Sequence, residues 1–531
     1  MITTNNISKQ FGSKPLFENI NITFKKGNKY GLIGANGSGK STFMKILSGE
    51  IDSTDGNVSI NQKYRVATLK QDHFIYEDIP IVNCVIMGHK KLWDIKVERD
   101  RLYSIEQMSV EESLKVSDLE IEFSDLNGYT AETDASKLLI GLGIPLNQHE
   151  KNMSTLAPGL KLRVLLAQAL FGDPDILLLD EPTNNLDLET INWLENIIIN
   201  SSSMVIMISH DRQFLNKTCS HIADLDYGEI RLYPGNYDDF MIAATQAREY
   251  LLNENKKKQA KINELKSFVK RFSANASKAK QATSRANQLN KIKLEDIEKS
   301  SRVYPFIRFK QKNKIHSNVL EIKDLVKSYD SNKVLDKINF IVDVGDRIAV
   351  LGTNGIGKTT LLNCLVETNF KDSGLIKWSS KVDIAYFEQN VDNNFKEDLT
   401  LIDWMSQWVK NDVGDQQVRS ILGRLLFTKD DIHKNINVLS GGEKRRMMFG
   451  KIILQEPNVI VMDEPTNHLD MESIEALNSA LDLYDGTIIF SSHDREFISS
   501  LATRAMEIKS GKILDHNANF IENLDKIKID K

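Results

Sequence analysis

The chain repeats one set of motifs at nearly constant spacing, and this repetition limits the folds that it can adopt. Two glycine-rich segments, GANGSGKST at 34–42 and GTNGIGKTT at 352–360, lie 318 residues apart. Each copy continues with an apolar run that ends in DEPTN, at 180–184 and 463–467, and with a further run that ends in SHD. Self-similarity of this kind indicates two copies of one domain.

The two copies differ in length at one interval. Between Gln71 and Gly159 the first copy is 35 residues longer than the second copy is between Gln389 and Gly442. We place the extra residues at about 88–128, where the pattern favours a helical hairpin of mixed charge. A loop insertion without function is the alternative.

Strand-like and helix-like runs alternate around the glycine-rich loops, which predicts the α/β class. The repeat divides the chain into a first P-loop domain at 1–243, a linker at 244–316 and a second P-loop domain at 317–531. Residues 243–294 are rich in Ala, Lys, Gln, Glu and Leu and contain no glycine. The linker is therefore predicted to form two long helices in a hairpin.

Both glycine-rich segments stand between a strand-like and a helix-like run, which is the setting of a P-loop. In a P-loop, backbone N–H groups at a helix N-terminus bind phosphates, the lysine reaches the β- and γ-phosphates, and a hydroxyl binds Mg²⁺. Two copies in this setting disfavour the alternative of a glycine-rich turn with a stray lysine. The predicted nucleotide-binding residues are Gly34, Asn36, Gly37, Ser38, Gly39, Lys40, Ser41 and Thr42 in the first copy, and Gly352, Asn354, Gly355, Gly357, Lys358, Thr359 and Thr360 in the second.

Paired carboxylates follow a buried strand-like run in each copy, at the sheet edge where open α/β folds bind ligands. We assign Glu181 and Glu464 to polarising an attacking water. His210 and His493 close the next runs at matching distances, and we assign them to contact with the γ-phosphate. A solvated turn and a structural histidine are the alternatives. The predicted Mg²⁺ ligands are Asp180 and Asp463, together with the hydroxyls of Ser41 and Thr359.

The segment LSGGEKRR at 439–446 is similar to the signature of ATP-binding cassette (ABC) ATPases. This resemblance implies that one domain's signature contacts the γ-phosphate held by the other domain, so that neither domain completes a site alone. It also implies two adenine-stacking aromatics, each 29 residues before a P-loop lysine, although a core position is the alternative for an isolated aromatic. The implied residues are Ser440, Gly441 and Gly442 in the signature, Phe11 and Tyr329 as aromatics, and Gln71 and Gln389 as Q-loop glutamines.

The first signature departs from the pattern, because residues 156–161 read LAPGLK. Gly159 is kept, but Ala157 lacks a hydroxyl and Pro158 lacks a backbone N–H, so two donors to phosphate are absent. Proline is tolerated at a helix start, and the fold need not suffer. We therefore predict that the site of the first P-loop keeps all its parts while the site of the second is weakened. The alternative is a silent change, with backbone N–H groups dominating.

Composition limits the setting in which such a chain works. Three cysteines without CxxC pairing favour a reducing compartment, and no apolar run approaches the ~18 residues that cross a bilayer. No signal-peptide pattern is present at the start of the sequence. We expect a cytoplasmic protein with no membrane partner, and no obligate oligomer because both halves lie in one chain.

The net charge of −5 conceals a strongly basic segment. Residues 248–316 hold 19 Lys and Arg against 6 Asp and Glu. Such a concentration favours contact with a polyanion such as a nucleic-acid backbone. A solvated spacer with a lysine-rich face is the alternative.

Over essentially its whole length the chain resembles the ABC-F family, and within it the bacterial YbiT-type branch. The resemblance rests on two ABC domains without a membrane domain, DEPTNxLD in both copies, the APG-for-SGG change, and the segment SFVKRFSANASKAKQATSRANQLNKIKLE at 267–295. It implies tandem ABC nucleotide-binding domains with ATP and Mg²⁺ as cofactors, and an arm at the insertion that touches the large ribosomal subunit near the exit site. It also implies a translation factor whose linker meets P-site tRNA and ribosomal RNA. The implied nucleic-acid contacts are Lys270, Arg271, Lys278, Lys280 and Arg285.

Three other functions are less favoured alternatives. Ribosome protection against antibiotics is one, but the linker tip looks short for reaching a drug pocket. The ATPase subunit of a transporter normally lacks a basic spacer. ABC ATPases of DNA repair carry zinc modules or very long coiled coils, and this sequence has neither.

Overall fold

The computed structural model describes residues 1–12, 14–70, 74–105, 107–184, 186–272, 302–315, 318–330, 332–367, 369–409 and 414–517. Within these residues the chain forms two α/β halves with the same sheet topology, which confirms the predicted fold class. Each half places a three-stranded antiparallel sheet beside a six-stranded, mainly parallel sheet. Because the central strands of each six-stranded sheet are parallel, their C-terminal ends lie at one edge of the sheet, and the motifs follow these ends.

The strands of the first half are β1 (Ile2–Phe11), β2 (Lys14–Phe24), β3 (Lys29–Ile33), β4 (Asp55–Ile60), β5 (Val66–Thr68), β6 (Ile176–Asp180), β7 (Met204–Ile208), β8 (His221–Asp226) and β9 (Glu229–Pro234). The small sheet has the order β2-β1-β4 and the large sheet β5-β6-β7-β3-β8-β9, with β9 antiparallel to β8. Strands β3 and β7 are buried along their whole length. The mainly apolar sequences of these strands, KYGLI and MVIMI, match their burial on both faces of the sheet.

The helices of the first half are α1 (Lys40–Ser48), α2 (Ile81–Ile86), α3 (Lys90–Tyr103), α4 (Val110–Asp125), α5 (Ala131–Gly141), α6 (Pro158–Leu170), α7 (Leu188–Asn200) and α8 (Arg212–Thr218). Helices α3 and α4 form an antiparallel hairpin within the segment of the predicted insertion. Ion pairs Lys91–Glu122 at 2.9 Å and Lys115–Glu98 at 2.5 Å cross between the two helices. Because these pairs are largely exposed, they contribute little stability and serve mainly to set the register of the hairpin.

The second half repeats this plan with the strands β10 (Leu320–Tyr329), β11 (Asn332–Val342), β12 (Arg347–Leu351), β13 (Ser373–Trp378), β14 (Ile384–Phe387), β15 (Val459–Asp463), β16 (Thr487–Ser491), β17 (Arg504–Lys509) and β18 (Lys512–Asn517). Its sheet orders, β11-β10-β13 and β14-β15-β16-β12-β17-β18, match those of the first half strand for strand. Its helices, after the α9 of the linker, are α10 (Lys358–Val366), α11 (Leu401–Ser406), α12 (Asp415–Arg424), α13 (Gly441–Gln455), α14 (Met471–Asp482) and α15 (Arg495–Leu501).

Between the halves runs the linker, which begins with one continuous helix, α9 (Tyr237–Phe272). Phe240 is buried in the core of the first half. Ile262 and Leu265 are also buried, farther along the helix. Of the predicted hairpin, the segment 273–300 lies outside the described residues. Residues 302–315 then return along the second half, where Ile307 and Phe309 join its core.

The two halves contact each other through paired helices and through the returning linker. Arg212 at the start of α8 bonds Glu496 in α15 at 2.9 Å, and Arg495 donates to the carbonyl oxygen of Leu188 at 3.3 Å. Arg302 of the linker lies between Asp224 on β8, at 2.5 Å, and Glu472 on α14, at 3.4 Å. Its guanidinium therefore joins a carboxylate of each half.

Arg302 supports a prediction about stability and its pH dependence. Burial raises the pKa of Asp224 to about 6, although Arg302 opposes the rise. A carboxyl group with a raised folded pKa costs stability as the pH rises through that value, and Arg302 offsets this cost. Arg302→Met should therefore lower the free energy of unfolding by on the order of 3 kcal/mol at about pH 8, and by less at about pH 5, where Asp224 is protonated.

Urea denaturation at the two pH values measures this difference. Arg308→Met is the matched control, because Arg308 lies on the same linker segment but is exposed. Equal losses at both pH values would show that Arg302 does not compensate a titrating carboxylate.

Candidate functional site

Each P-loop joins a buried central strand to the first turn of a helix. The first loop connects β3 to α1 and the second connects β12 to α10. Gly34 has a φ of 153°, and a Cβ there would lie 2.3 Å from the carbonyl oxygen of Leu225, so only glycine fits. Gly39 caps α1 in the left-handed conformation, with a φ of 99°, as Gly357 caps α10 with a φ of 117°. Each turn leads into a helix whose first N–H groups have no partner within the helix, which is the setting in which a phosphate binds.

The P-loop lysines lie across these loops. Lys40 Nζ donates to the carbonyl oxygens of Gly34 at 2.8 Å and Ala35 at 3.1 Å, and Lys358 Nζ donates to that of Gly352 at 2.7 Å. Burial lowers the pKa of both amines, which is opposed by nearby carboxylates, Glu181 first for Lys40 and Glu464 first for Lys358. A largely buried cation at the N-terminus of a helix fits a polyphosphate anion.

The carboxylate pairs lie at the ends of β6 and β15. Glu181 and Glu464 follow these strands with positive φ values of 51° and 48°, a conformation that non-glycine residues rarely adopt. The turn is fixed by hydrogen bonds from the Glu181 N–H to the carbonyl oxygen of Ile208, at 2.9 Å, and from the Glu464 N–H to that of Ser491, at 3.1 Å. Strain of this kind is typical of functional positions, since the surrounding structure must maintain it.

Both glutamates are buried and carry an unsatisfied oxygen. Within the described residues, Oε1 of Glu181 and Oε1 of Glu464 have no hydrogen-bond partner. Burial, with the charge of Asp180, raises the pKa of Glu181 to about 8, and burial likewise raises the pKa of Glu464. A buried carboxylate oxygen without a hydrogen bond lowers the stability of the fold, and such atoms are typical of functional sites. These two atoms therefore fit the role of accepting a proton or binding a water molecule.

A histidine stands beside each glutamate. The Nε2 atom of His210 is 3.3 Å from Oε1 of Glu181, and that of His493 is 3.2 Å from Oε1 of Glu464, without the angles of a hydrogen bond. Burial and the neighbouring P-loop lysine lower the pKa of His210 to about 4 and that of His493 to about 3. Both rings are therefore neutral near pH 7, with one nitrogen to donate and one to accept.

Oxygen ligands for a hard divalent cation lie close to each P-loop. The Asp180 carboxylate bonds the Ser41 hydroxyl, so the two predicted Mg²⁺ ligands of the first half are adjacent. In the second half, Asp463 accepts a hydrogen bond from Ser491 at 2.5 Å through Oδ1, while its buried Oδ2 has no partner in the described part of the chain. A carboxylate and a hydroxyl are ligands that Mg²⁺ prefers, so the residues present fit this metal.

The signature segments start α6 and α13 in different ways. Ser440 is the N-cap of α13 and forms a capping box with Glu443, whereas Ala157 caps α6 without a side-chain bond and Pro158 takes the first helical position. Apart from its chain neighbours and its own helix, a Cβ built on Gly159 or Gly441 would meet no heavy atom of the described residues within 4 Å, so both helix starts are open there. The absence of the hydroxyl and the N–H from the first signature therefore leaves the helix intact, as the sequence predicts.

Residues of the two halves meet around each P-loop. Asp187, which follows DEPTNNL in the first half, accepts a hydrogen bond from the backbone N–H of Asn354 in the second P-loop at 3.4 Å. Asp470, its counterpart, is close enough to Lys40 to oppose the lowering of that lysine's pKa. A cavity of about 50 Å³ between the halves is lined by Glu181 and His210 from one side and by His493 from the other. Both candidate sites are therefore composite.

The predicted aromatics end the first strand of each half. Phe11 and Tyr329 are 60% and 46% exposed, and lysines lie over their rings at 5.2 and 5.6 Å. Phe11 does not line the cavity of about 710 Å³ that opens beside Asn36, Gly37 and Ser38 of the first P-loop. Their assignment to adenine stacking stays a prediction.

The two predicted glutamines and the nucleic-acid residues are placed only in part. Gln389 follows β14, where its carbonyl oxygen accepts a hydrogen bond from Arg445 at 3.3 Å. Lys270 and Arg271 belong to the last turn of α9. Gln71, Lys278, Lys280 and Arg285 lie outside the described residues. The lysines of α9 that are described as exposed are Lys256, Lys257, Lys261 and Lys266.

Reasoning from the sequence missed two groups at the site. Asp187 and Asp470 close the shared segment DEPTNxLD, and alignment of the repeats marks them as equivalent. Arg163 and Arg446 likewise stand four residues after the aligned Gly159 and Gly442. Alignment of the two copies marks these residues as equivalent, but only the fold shows that Asp187 contacts the P-loop of the other half.

Comparison with known proteins gives consistent matches. The family model described as ABC transporter matches residues 17–184 and 335–467, and a second model with the same description matches residues 223–309. "Probable ATP-binding protein YbiT" of Escherichia coli O157:H7 is 58% identical over 524 residues, with 99% of each chain covered. "ABC transporter F family member 2" of Arabidopsis thaliana is 33% identical over 538 residues, which cover 98% of this chain and 78% of that protein.

Solved structures share the fold. A chain in the crystal structure of the complex of archaeal ribosomal stalk protein aP1 and archaeal ribosome recycling factor aABCE1 superposes with a TM-score of 0.64 at 18% identity, covering 98% of this chain and 92% of that chain. Among the described helices, none combines the length and the apolar character that a membrane crossing requires.

Proposed function

The chain belongs to the ABC-F family of tandem ATP-binding proteins, and from this premise we propose that it is an ATPase that binds the ribosome when its two halves are closed. The assignment of ATP hydrolysis is supported by the two buried glutamates, one beside each P-loop, whose Oε1 atoms have no hydrogen-bond partner in the described residues. The basic linker and the family membership support the ribosome as the partner.

For ATP hydrolysis, each residue of the site has a defined role. Bound ATP with Mg²⁺ supplies a γ-phosphate that water can attack. Lys40 and Lys358 bind the phosphate oxygens, and Asp180 with Ser41, and Asp463 with Thr359, hold the metal. Glu181 and Glu464 accept the proton of a water molecule at Oε1, for which the raised pKa of Glu181, about 8, is well matched near neutral pH. His210 and His493, each beside its glutamate as a neutral ring, contact the γ-phosphate.

Closure of the halves completes each site. The signature of one half faces the P-loop of the other, and Asp187 already reaches the second P-loop in this arrangement. Ser440 and the N–H groups of Gly441 and Gly442 serve the site of Lys40, whereas the site of Lys358 has only the reduced set that Ala157 and Pro158 leave. Hydrolysis at the first site then separates the two halves again, and the partner is released.

The linker is the element that we assign to RNA. Residues 248–316 carry 19 basic against 6 acidic residues, and exposed lysines lie along α9. Exposed cations suit the phosphate backbones of tRNA and ribosomal RNA, which basic residues bind irrespective of sequence. The fold is shared with a chain from a complex of a ribosome recycling factor and a ribosomal stalk protein, which supports a ribosomal partner. We assign P-site tRNA and large-subunit RNA as the contacts, and the cytoplasm as the location.

Co-sedimentation with purified ribosomes tests this proposal. The variant carrying both Glu181→Gln and Glu464→Gln binds ATP but cannot hydrolyse it, so it should co-migrate with ribosomes only when ATP is present. Changing Lys270, Arg271, Lys278, Lys280 and Arg285 to Ala should abolish the co-migration, because removing these cations weakens the attraction to RNA phosphates at physiological salt.

The matched control removes five exposed lysines elsewhere, namely Lys137, Lys323, Lys333, Lys429 and Lys509. This control should bind ribosomes as the parent does. If it loses binding equally, the linker has no specific role, and if no variant binds in any nucleotide state, the ribosome is not the partner.

A further inference from the structure

Each site histidine is followed two residues later by an arginine, and the fold uses these two arginines, Arg212 and Arg495, differently. Arg495, at the start of α15, is 6% exposed and pairs across the boundary with Glu195 on α7 at 3.5 Å. The position on α14 that is equivalent to Glu195 holds Asn478, which carries no charge. Arg212 therefore has no carboxylate at the equivalent place, and its guanidinium bonds to other partners.

Arg212 joins the base of the linker helix to the second half. Its Nε and Nη2 donate to Oδ1 of Asp238, in the first turn of α9, at 2.9 and 2.7 Å. Its Nη1 donates to Oε1 of Glu496 on α15 at 2.9 Å. The ring centre of Tyr237, the first residue of α9, lies 5.7 Å from the guanidinium carbon. One side chain thus contacts the linker on one side and the opposite half on the other.

Helix α8 is bonded to the first turn of α9 at a second point as well. The side-chain oxygen of Asn216 accepts a hydrogen bond from the backbone N–H of Asp238 at 2.9 Å. Burial acts to raise the pKa of Asp238, but hydrogen bonds from Arg212 and Asn216 outweigh it and lower the pKa. The carboxylate therefore stays ionised near pH 7, and its bonds to Arg212 are charge-assisted at both ends.

The contacts of Arg212 lie next to the candidate site of the first half. A cavity of about 40 Å³ is lined by Arg212, His210 and Tyr237 from the first half and by Glu496 from the second. The Nε2 atom of His210 is 3.3 Å from Oε1 of Glu181. The site histidine, the boundary between the halves and the base of α9 therefore meet in one small region.

We propose that Arg212 is the positioning residue that passes closure of the halves to the linker, because closure brings Glu496 to its guanidinium and draws the first turn of α9 toward α15. When the halves separate, Glu496 leaves with the second half, while Asp238 keeps α9 bonded to α8. This inference rests on the proposed ATP-driven closure. It names the contact through which the state of the nucleotide sites reaches the segment that we assign to RNA.

Distances between pairs of spin labels, measured by double electron–electron resonance, test the proposal. The parent is the full chain with Glu181→Gln and Glu464→Gln, which binds ATP without hydrolysing it. The three cysteines of the chain are buried, so labels attach to cysteines introduced at exposed positions. Lys63→Cys with Lys266→Cys reports the tilt of α9 against its own half, and Lys63→Cys with Lys337→Cys reports closure.

ATP should shift both distances in the parent. Arg212→Met should lose the shift of α9 and keep the shift between the halves, because Arg495 and other boundary contacts remain. A side chain that only supported the fold would not separate the two distances in this way. Arg212→Lys should keep part of the shift of α9, since lysine retains the charge but not the planar fork.

Two further variants control for folding and for the loss of a charge. Asp238→Asn is isosteric, tests the linker side of the contact should Arg212→Met fail to fold, and should also lose the shift of α9. Combined with Arg212→Met it should add little, because both act through one contact. Arg231→Met is the matched control, since Arg231 pairs with Glu229 at 3.1 Å within its own hairpin, and it should keep both shifts.

The outcomes separate this inference from the proposal on which it rests. If ATP leaves the distance between the halves unchanged in the parent, ATP-driven closure itself is wrong. If the halves close but α9 does not shift in the parent, closure does not reach the linker. If Arg212→Met shifts α9 as the parent does, or if Arg231→Met loses the shift equally, the role of Arg212 is wrong.

Discussion

Replacing Glu181 with Gln is expected to lower ATP turnover by about 10²- to 10⁴-fold, the range typical for the loss of a general base. The amide keeps the shape of the side chain but cannot accept a proton at Oε1. In the structure this oxygen is buried without a hydrogen-bond partner, so no other described group stands ready to replace it. Phosphate release under saturating ATP measures the loss, and Glu150→Gln, on the exposed surface, is the control.

Glu464→Gln should have a distinctly smaller effect on the same assay. Glu464 serves the site that faces Ala157 and Pro158, where a hydroxyl and an N–H donor are absent. Donors aimed at developing charge are a large part of catalysis, so this site contributes less of the total turnover. Equal losses in the two single variants would contradict the predicted asymmetry and favour a silent signature change.

The double variant, Glu181→Gln with Glu464→Gln, should arrest growth when it is expressed in cells. Both sites then bind ATP without hydrolysing it, so the closed protein stays on its partner. Adding Lys40→Met and Lys358→Met should restore growth, because each P-loop loses the cation that binds phosphate. Incorporation of labelled amino acids measures translation directly. Normal growth with confirmed expression of the double variant would rule out a mechanism in which ATP closes the halves and hydrolysis releases the partner.

The sequence predicts the local structure of the candidate site well where one motif sets the backbone conformation. The P-loops, the strands that end in Asp180 and Asp463, and the helix starts at both signatures follow from residue pattern alone. The positive φ of Glu181 and Glu464 does not, because glutamate has no preference for that conformation. It results from the hydrogen bonds of the neighbouring strand.

The residue pattern does not predict which distant side chains an arginine contacts. Arg163 and Arg446 are equivalent in sequence, yet one reaches Asp187 and the other lies over Phe427. Arg302 belongs to a basic run that predicts contact with a polyanion, yet it neutralises Asp224 and Glu472 inside the protein. Charge counts cannot separate these roles, because both depend on which surface the folded chain brings near.

Helix α9 converts a small rotation at its base into a large movement at its far end. It is unbroken over 36 residues and is about 54 Å long at 1.5 Å per residue. Phe240 fixes its first turns in the core of the first half, and the Arg302 guanidinium lies 5.4 Å from the ring centre of Phe240. A tilt of about 10° at this fulcrum would displace the far end of α9 by roughly 8 Å, so a small rotation between the halves would be magnified along the basic segment that α9 carries.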